Sequence, residues 1–145
     1  MGRTIQLRPD TVIVSDAEAI VEIAQTEVHQ VALEIALLGR KLNDVLFVLT
    51  QNGPKIALRL LDTPKIAARA RVLRTAQQQI RFDVPINLLG YLEAVLLRTY
   101  RDGIAEVNHI HIEGDLDGDA FDLTVMFELS RPPMTPEQIE RLTKI

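Results

Sequence analysis

The sequence feature that most constrains the fold is a pair of alternating segments joined by Asp117-Gly118, within residues 104–130. An Asp-Gly pair suits the two central positions of a type I′ turn, because both positions require positive φ. Such a turn places Leu116 opposite Asp119. Counting outward, the next pairs on one face are Ile112 with Leu123, Ile110 with Val125 and Asn108 with Phe127. One face of both strands is then apolar at a period of two residues, which predicts a β-hairpin at about 106–129 packed on the core.

The opposite face of this predicted hairpin carries the candidate metal ligands. His109, His111 and Glu113 alternate along one strand, so their side chains project from the same face. In the same register Asp122 lies opposite Glu113. Two imidazoles with carboxylates are a known ligand set for iron(II), manganese and zinc. One interpretation is therefore a metal-dependent hydrolase or oxygenase that uses these four residues, with a divalent metal ion as cofactor.

We favour a simpler interpretation, in which this face is solvated and holds no cofactor. Neighbours on one strand face share a metal only if the sheet curves, and His29 is the one other histidine in the sequence. In a third interpretation the face packs on a helix or a second subunit through Val107 and Met126. The opposed carboxylates of Glu113 and Asp122 require solvent, a cation or a basic partner, because facing like charges destabilise a strand pair. We expect solvent.

A length of 145 residues predicts a single globular domain over 1–145. The absence of cysteine excludes disulfides, thiolate metal sites and a cysteine nucleophile. The N-terminal residues lack the apolar core of a signal peptide, and the longest uncharged apolar run, at 45–49, is far too short for a membrane span. We therefore expect a cytoplasmic protein without a membrane partner. The sequence motifs of common nucleotide-binding and serine-hydrolase sites do not occur.

The net charge of −4 is unevenly distributed. Residues 54–101 carry nine Lys or Arg and three Asp or Glu, a local charge of +6. Residues 102–145 carry three basic and ten acidic residues, a local charge of −7. This asymmetry predicts either complementary elements packed side by side, which we favour, or attraction between molecules. A nucleic-acid role for 54–101 is a further alternative, but we do not expect it, because the arginines of the predicted helix form no single ridge and aromatic residues are scarce.

A capping box from Ser15 to Glu18 predicts the start of the longest helix. Gly39 is its predicted end. Leu33 and Leu37 lie on the otherwise polar side, so we expect further chain, or else a second subunit, to cover this part of the helix. The apolar residues that share its stripe, about 100° wide, are Ile20, Ala24, Val28, Val31, Ile35 and Leu38.

The region 44–61 allows two interpretations. The apolar run at 45–49 is either a buried strand or a buried helical turn. Asn52-Gly53 either closes a hairpin to 55–61 or ends one helix before Pro54 begins another. We favour a helix at 54–61 because Ala, Leu, Arg and Lys have high helix propensity. A further helix is predicted from Thr63-Pro64, and its apolar stripe consists of Ile66, Ala70, Leu73 and Ile80.

The remaining elements are short strands and two helices. Strands are predicted at 4–7 and 11–14, which either pair with each other or extend the hairpin, and at 80–84. A second long helix follows Pro85 and ends at Gly103. A capping box that begins at Thr135 predicts a short terminal helix. The face of the second long helix consists of Leu88, Leu92, Val95, Leu96 and Thr99.

The composition, with 47% hydrophobic residues, no tryptophan and six aromatics, indicates a core of aliphatic side chains. We predict an α+β fold, in which amphipathic helices pack on one face of a small, mainly antiparallel sheet centred on the C-terminal hairpin. The predicted function is a cytoplasmic protein-interaction or assembly module without catalytic activity. Its expected partner is a protein, most simply a second copy of the chain in a homo-oligomer.

Overall fold

The computed structural model describes residues 2–8, 11–51, 55–61, 67–76, 79–103, 109–127 and 136–143. The helices within these ranges are α1 (Val28–Gly39), α2 (Ile86–Asp102) and α3 (Pro136–Thr143), and a 3₁₀ turn at Gln25–Glu27 precedes α1. The strands are β1 (Gly2–Leu7), β2 (Val12–Val14), β3 (Glu18–Ile23), β4 (Val45–Thr50), β5 (Lys55–Leu61), β6 (Ala70–Ala76), β7 (Gln79–Pro85), β8 (His109–Ile112), β9 (Gly114–Leu116), β10 (Asp119–Ala120) and β11 (Asp122–Phe127).

The strands form two sheets, so the predicted fold class is wrong. The larger sheet has seven strands in the order β1-β4-β5-β7-β6-β9-β10, and the smaller sheet has the order β2-β3-β11-β8. Pairing in both is mixed: β1 with β4, β5 with β7, β6 with β9 and β3 with β11 are parallel, and the other neighbours are antiparallel. The error arose because three segments predicted as helical are strands, and strands outnumber helices in the described chain.

The first of these segments follows Ser15. Ser15 Oγ accepts hydrogen bonds from the backbone of Ala17 at 3.4 Å and of Glu18 at 3.2 Å, and Ser15 N donates to Glu18 O at 2.9 Å. The motif predicted to cap a helix therefore closes a tight turn between β2 and β3. Alternate residues of β3 are buried, as expected for a strand, and helix α1 begins only at Val28.

The other two misassigned segments are β5 and β6. In β5 the buried residues are Ile56 and Leu58, and in β6 they are Ala70 and Val72, which is a period of two in each strand. The hairpin alternative for 44–61 is confirmed, because β4 and β5 pair antiparallel. The turn residues 52–54 and the predicted helix start at 63–64 lie outside the described residues.

Several sequence predictions are confirmed. Helix α2 follows Pro85 and ends at Gly103, whose φ of 73° is left-handed. The strands predicted at 4–7, 11–14 and 80–84 are present, although β1 pairs with β4 and β2 with β3. The short terminal helix is α3.

The core lies between the inner faces of the two sheets and helices α1 and α2. Fully buried side chains come from every layer. An apolar void of about 30 Å³ at their junction has the volume of roughly one water molecule and is too small for an organic ligand. Its lining includes Ile5, Leu46 and Ile56 of the larger sheet, Val21 and Leu123 of the smaller sheet, Ile35 of α1 and Leu92 of α2.

The register of the C-terminal hairpin is confirmed where it is described. Leu116 pairs with Asp119, and Asp117 and Gly118 have φ values of 52° and 89°, as the type I′ turn requires. Farther from the turn, Ile112 pairs with Leu123 and Ile110 with Val125. Residue 108 lies outside the described residues.

The hairpin is not, however, the centre of a single sheet. Strands β8 and β11 belong to the smaller sheet, whereas β9 and β10 form one edge of the larger sheet. The chain crosses between the sheets at Gly114 and Phe121, and Phe121 N donates to Gly114 O at 2.9 Å. On the larger sheet, Ala70 N donates to Glu113 O at 2.8 Å. The hairpin therefore fastens the two sheets together.

Candidate functional site

Three of the predicted metal ligands lie on the outer face of the smaller sheet. His109 and His111 are exposed residues of β8, and Asp122 is the first residue of β11. His111 Nε2 lies 3.1 Å from Asp122 Oδ2, and His111 Nδ1 lies 3.2 Å from Thr124 Oγ1. Asp122 Oδ1 accepts a hydrogen bond from Gly114 N at 3.3 Å. The structure thus brings His111 and Asp122 together as a hydrogen-bonded pair.

Glu113, the fourth predicted ligand, is bound by Arg69. Arg69 Nη1 lies 2.9 Å from Glu113 Oε2, and Arg69 Nη2 lies 2.9 Å from Asp115 Oδ1. The hydrogen bond to Asp115 is the largest cause of a raised Arg69 pKa. A basic partner from the same chain therefore compensates Glu113, one of the two opposed carboxylates for which we expect solvent. The other, Asp122, is hydrogen-bonded to His111. In the described part of the chain, no three His, Asp or Glu side chains are grouped to hold a metal ion.

A second candidate surface is the outer side of the α1–α2 pair. His29 and Tyr100 are in ring contact at 5.7 Å, whereas at the other end Arg40 Nη1 lies 2.5 Å from Glu93 Oε1. The helices are therefore antiparallel. Leu33 lies four residues after His29 on α1, and Leu97 lies three residues before Tyr100 on α2, so both are on the side of their helix that carries these contacts.

Apolar residues are exposed along this groove between the helices. Leu33 is 56% exposed and Leu97 is 49% exposed, and Leu37 is partly exposed. The expectation that further chain covers Leu33 is not met within the described residues. We call the exposed set the helix face, and its members are Leu33, Leu37, Ile86, Leu97 and Tyr100.

A third candidate surface is the outer face of the larger sheet, where charges alternate across four strands. In register from β5 to β9 they are Arg59, Asp83, Arg71 and Asp115. Arg71 Nη2 lies 2.9 Å from Asp83 Oδ2. The row joins the basic segment 54–101 to the acidic segment that follows it, which agrees with the interpretation of complementary elements packed side by side.

Next to this row lies an open depression of about 390 Å³, which we call the basic depression. Lys55, Arg59 and Arg81 supply its cations, and Asp44 is the carboxylate in its lining. Lys55 Nζ lies 4.2 Å from the centre of the Phe47 ring, a cation–π contact. The rest of the lining is Val45, Ala57, Thr75, Gln79 and Ile80.

Sequence reasoning missed the basic depression because it treated β5 and β6 as helices. On a helix, Lys55 and Arg59 share a face and Ala57 points away from it, but on a strand all three share one face. In the sequence, basic and small residues alternate at every second position from Lys55 to Arg59, and this alternation was the signal that could have indicated a strand with a basic face.

Comparisons of the chain with protein-family models, with curated proteins and with solved structures found no match. Among the described residues, no helix is both long enough and apolar enough to cross a membrane.

Proposed function

We propose that this protein is a small interaction or assembly module that self-associates through the helix face and has no catalytic activity of its own. The observation that carries the proposal is the exposure of Leu33 and Leu97 at the middle of the α1–α2 groove. Contiguous exposed apolar residues on a soluble surface are typical of protein–protein contacts. Aromatic residues such as Tyr100 are enriched in such interfaces.

The charges around the helix face favour a second copy of the chain as the partner. Arg40 is paired with Glu93 at 2.5 Å, and Arg101 with Asp102 at 2.7 Å. Because these charges are balanced within the surface, two copies can meet without repulsion between like charges. A two-fold interface of this kind would pack the α1–α2 pair of one chain against the same pair of the other.

The proposal is tested by sedimentation velocity at micromolar concentration. The wild-type chain should sediment as a dimer or larger species. Leu33→Asp and Leu97→Asp should each weaken association by tenfold or more, because each places a charge in the apolar centre of the interface.

Tyr91→Asp provides a matched control. Tyr91 is 52% exposed on α2, and its side chain points roughly 120° around the helix axis from that of Leu97, so its substitution should leave association unchanged. If the wild-type chain sediments as a monomer and Leu37→Asp sediments in the same way, the proposal is wrong. Equal weakening by Tyr91→Asp would place the interface elsewhere.

A further inference from the structure

The outer face of the larger sheet points to a ligand site that is independent of the helix face. We infer that the basic depression binds a small organic phosphate of nucleotide size, which consists of one phosphate group and an apolar or ring-shaped body. Its volume of about 390 Å³ lies within the usual range of small-molecule sites, about 300–1,000 Å³.

The charges of the depression match a phosphate monoester. Lys55, Arg59 and Arg81 contribute three positive charges, and Asp44 contributes one negative charge. Asp83, which is shared between Arg81 and Arg71, offsets part of the Arg81 charge, so the net charge of the depression lies between +1 and +2. A phosphate monoester carries about −1.5 to −2 at neutral pH, so one such group neutralises the site. Guanidinium groups also match the geometry of phosphate oxygens, because they donate two parallel hydrogen bonds.

The position of Arg81 is fixed by the sheet. Its Nε lies 3.1 Å from Asp83 Oδ1 and its Nη2 lies 3.2 Å from Asp83 Oδ2. The Arg81 side chain is only 28% exposed, whereas Asp83 is almost fully buried. A guanidinium held in this way loses little conformational entropy when a ligand binds, which favours affinity.

The floor of the depression is suited to the non-phosphate part of the ligand. Val45, Phe47 and Ala57 present apolar surface beside the cations, and Thr75 and Gln79 add polar groups at its rim. An apolar floor with a few convergent polar groups is typical of small-molecule sites. Inorganic phosphate alone would leave this apolar floor uncovered.

The surrounding charges favour a small ligand over a nucleic-acid strand. Beyond the depression, Arg71 is paired with Asp83, and Asp115 follows on the next strand. The positive surface therefore ends within the sheet. A strand of nucleic acid requires a continuous basic track, with several aromatic residues on which bases can stack.

The test is isothermal titration calorimetry of the full chain at low ionic strength, with adenosine 5′-monophosphate as the probe. Binding should be at least about tenfold tighter than that of adenosine or of inorganic phosphate. Lys55→Gln and Arg59→Gln should each weaken it by about tenfold, the value of one charge-assisted hydrogen bond. Amide NMR shifts should change at Phe47, Ala57 and Thr75.

Arg98→Gln is the matched control, because it removes the same charge from an exposed position on α2. It should leave binding unchanged, and circular dichroism should show that all three variants are folded. Absent binding of the nucleotide, or equal weakening by Arg98→Gln, would overturn the inference. If inorganic phosphate binds as tightly as the nucleotide, the organic part of the ligand contributes nothing and the inference is wrong in that respect. If the affinity for oligothymidylates increases with their length, the ligand is a nucleic-acid strand and the inference of a small ligand is wrong.

Discussion

Arg71 on β6 and Asp83 on β7 are direct cross-strand partners, and Arg71 Nη2 lies 2.9 Å from Asp83 Oδ2. Arg81 donates to the same carboxylate from two residues earlier on β7. Asp83 is 4% exposed, but the Arg71 side chain is 64% exposed. The buried carboxylate is therefore compensated by two guanidinium groups that still reach solvent.

We predict that Asp83→Asn destabilises the protein by about 2 kcal/mol. The substitution removes the negative charge that both arginines bind, and the cost stays below the 3–5 kcal/mol of a fully buried pair because the arginines retain access to water. Urea denaturation measures the change. Asp119→Asn, at an exposed position on β10, should change the free energy of unfolding by less than about 0.5 kcal/mol. Similar values for both variants would contradict the prediction.

The register of the hairpin could be predicted because local chemistry determines it. Asp117 and Gly118 both adopt positive φ, and every described pair outward from the turn follows by counting. Helix α2 was predictable for a similar reason, since its apolar stripe and its Gly103 cap lie within one continuous segment.

Two of the three misassigned segments, β3 and β5, each have one parallel partner that is distant in the sequence. Strand β3 pairs in parallel with β11, about a hundred residues later, and β5 pairs in parallel with β7. The high helix propensity of β5 is overridden by this pairing, because propensity contributes little relative to burial in a sheet. The Ser15 motif is ambiguous in itself, since a Ser side chain satisfies backbone N–H groups equally well in a turn and at a helix start.

The candidate surfaces were predictable to different degrees. Leu33 and Leu37 were identified because a break in a helical stripe is visible within one segment. The hairpin register pairs Thr124 with His111, and the contact of His111 with Asp122 is diagonal to this pair. The basic depression requires residues from β4, β5, β6 and β7, and their order in the sheet is not encoded in any local pattern.

Gly114 should not tolerate a side chain. A Cβ at this position would clash with the carbonyl oxygen of Phe121 and with Val72, where the chain crosses between the sheets. We predict that Gly114→Ala lowers the free energy of unfolding by about 2–3 kcal/mol, measured by urea denaturation.

Gly90→Ala is the matched comparison for this substitution. Gly90 lies within α2, and an added Cβ would meet no atom within 4 Å. Because alanine favours the helix, Gly90→Ala should raise the free energy of unfolding by about 0.5–1 kcal/mol. If Gly114→Ala leaves the free energy of unfolding unchanged, the prediction is wrong, and the backbone where the chain crosses between the sheets can shift to accommodate the added Cβ.

The carboxyl group of Asp102 should show a low pKa because of Arg101. Arg101 Nε lies 2.7 Å from Asp102 Oδ1, and this hydrogen bond is the largest cause that lowers the Asp102 pKa. A carboxyl group with a lowered pKa in the folded state stabilises the protein at pH values above the ordinary carboxyl pKa. This contribution is lost as the pH falls through the folded-state pKa. In an NMR titration, Arg101→Gln should move the Asp102 pKa upward, and an unchanged pKa would assign the shift to another group.

Addition of zinc, manganese or iron(II) should leave the melting temperature of the protein unchanged. A ligand that binds the folded state raises the melting temperature, but no three His, Asp or Glu side chains among the described residues are grouped to hold a metal ion, and Glu113 is bound by Arg69. Differential scanning calorimetry with and without each metal, together with elemental analysis of the purified protein, measures this. A stabilisation that disappears in His111→Ala would instead establish a metal centre at this face, and one that persists would place the metal elsewhere.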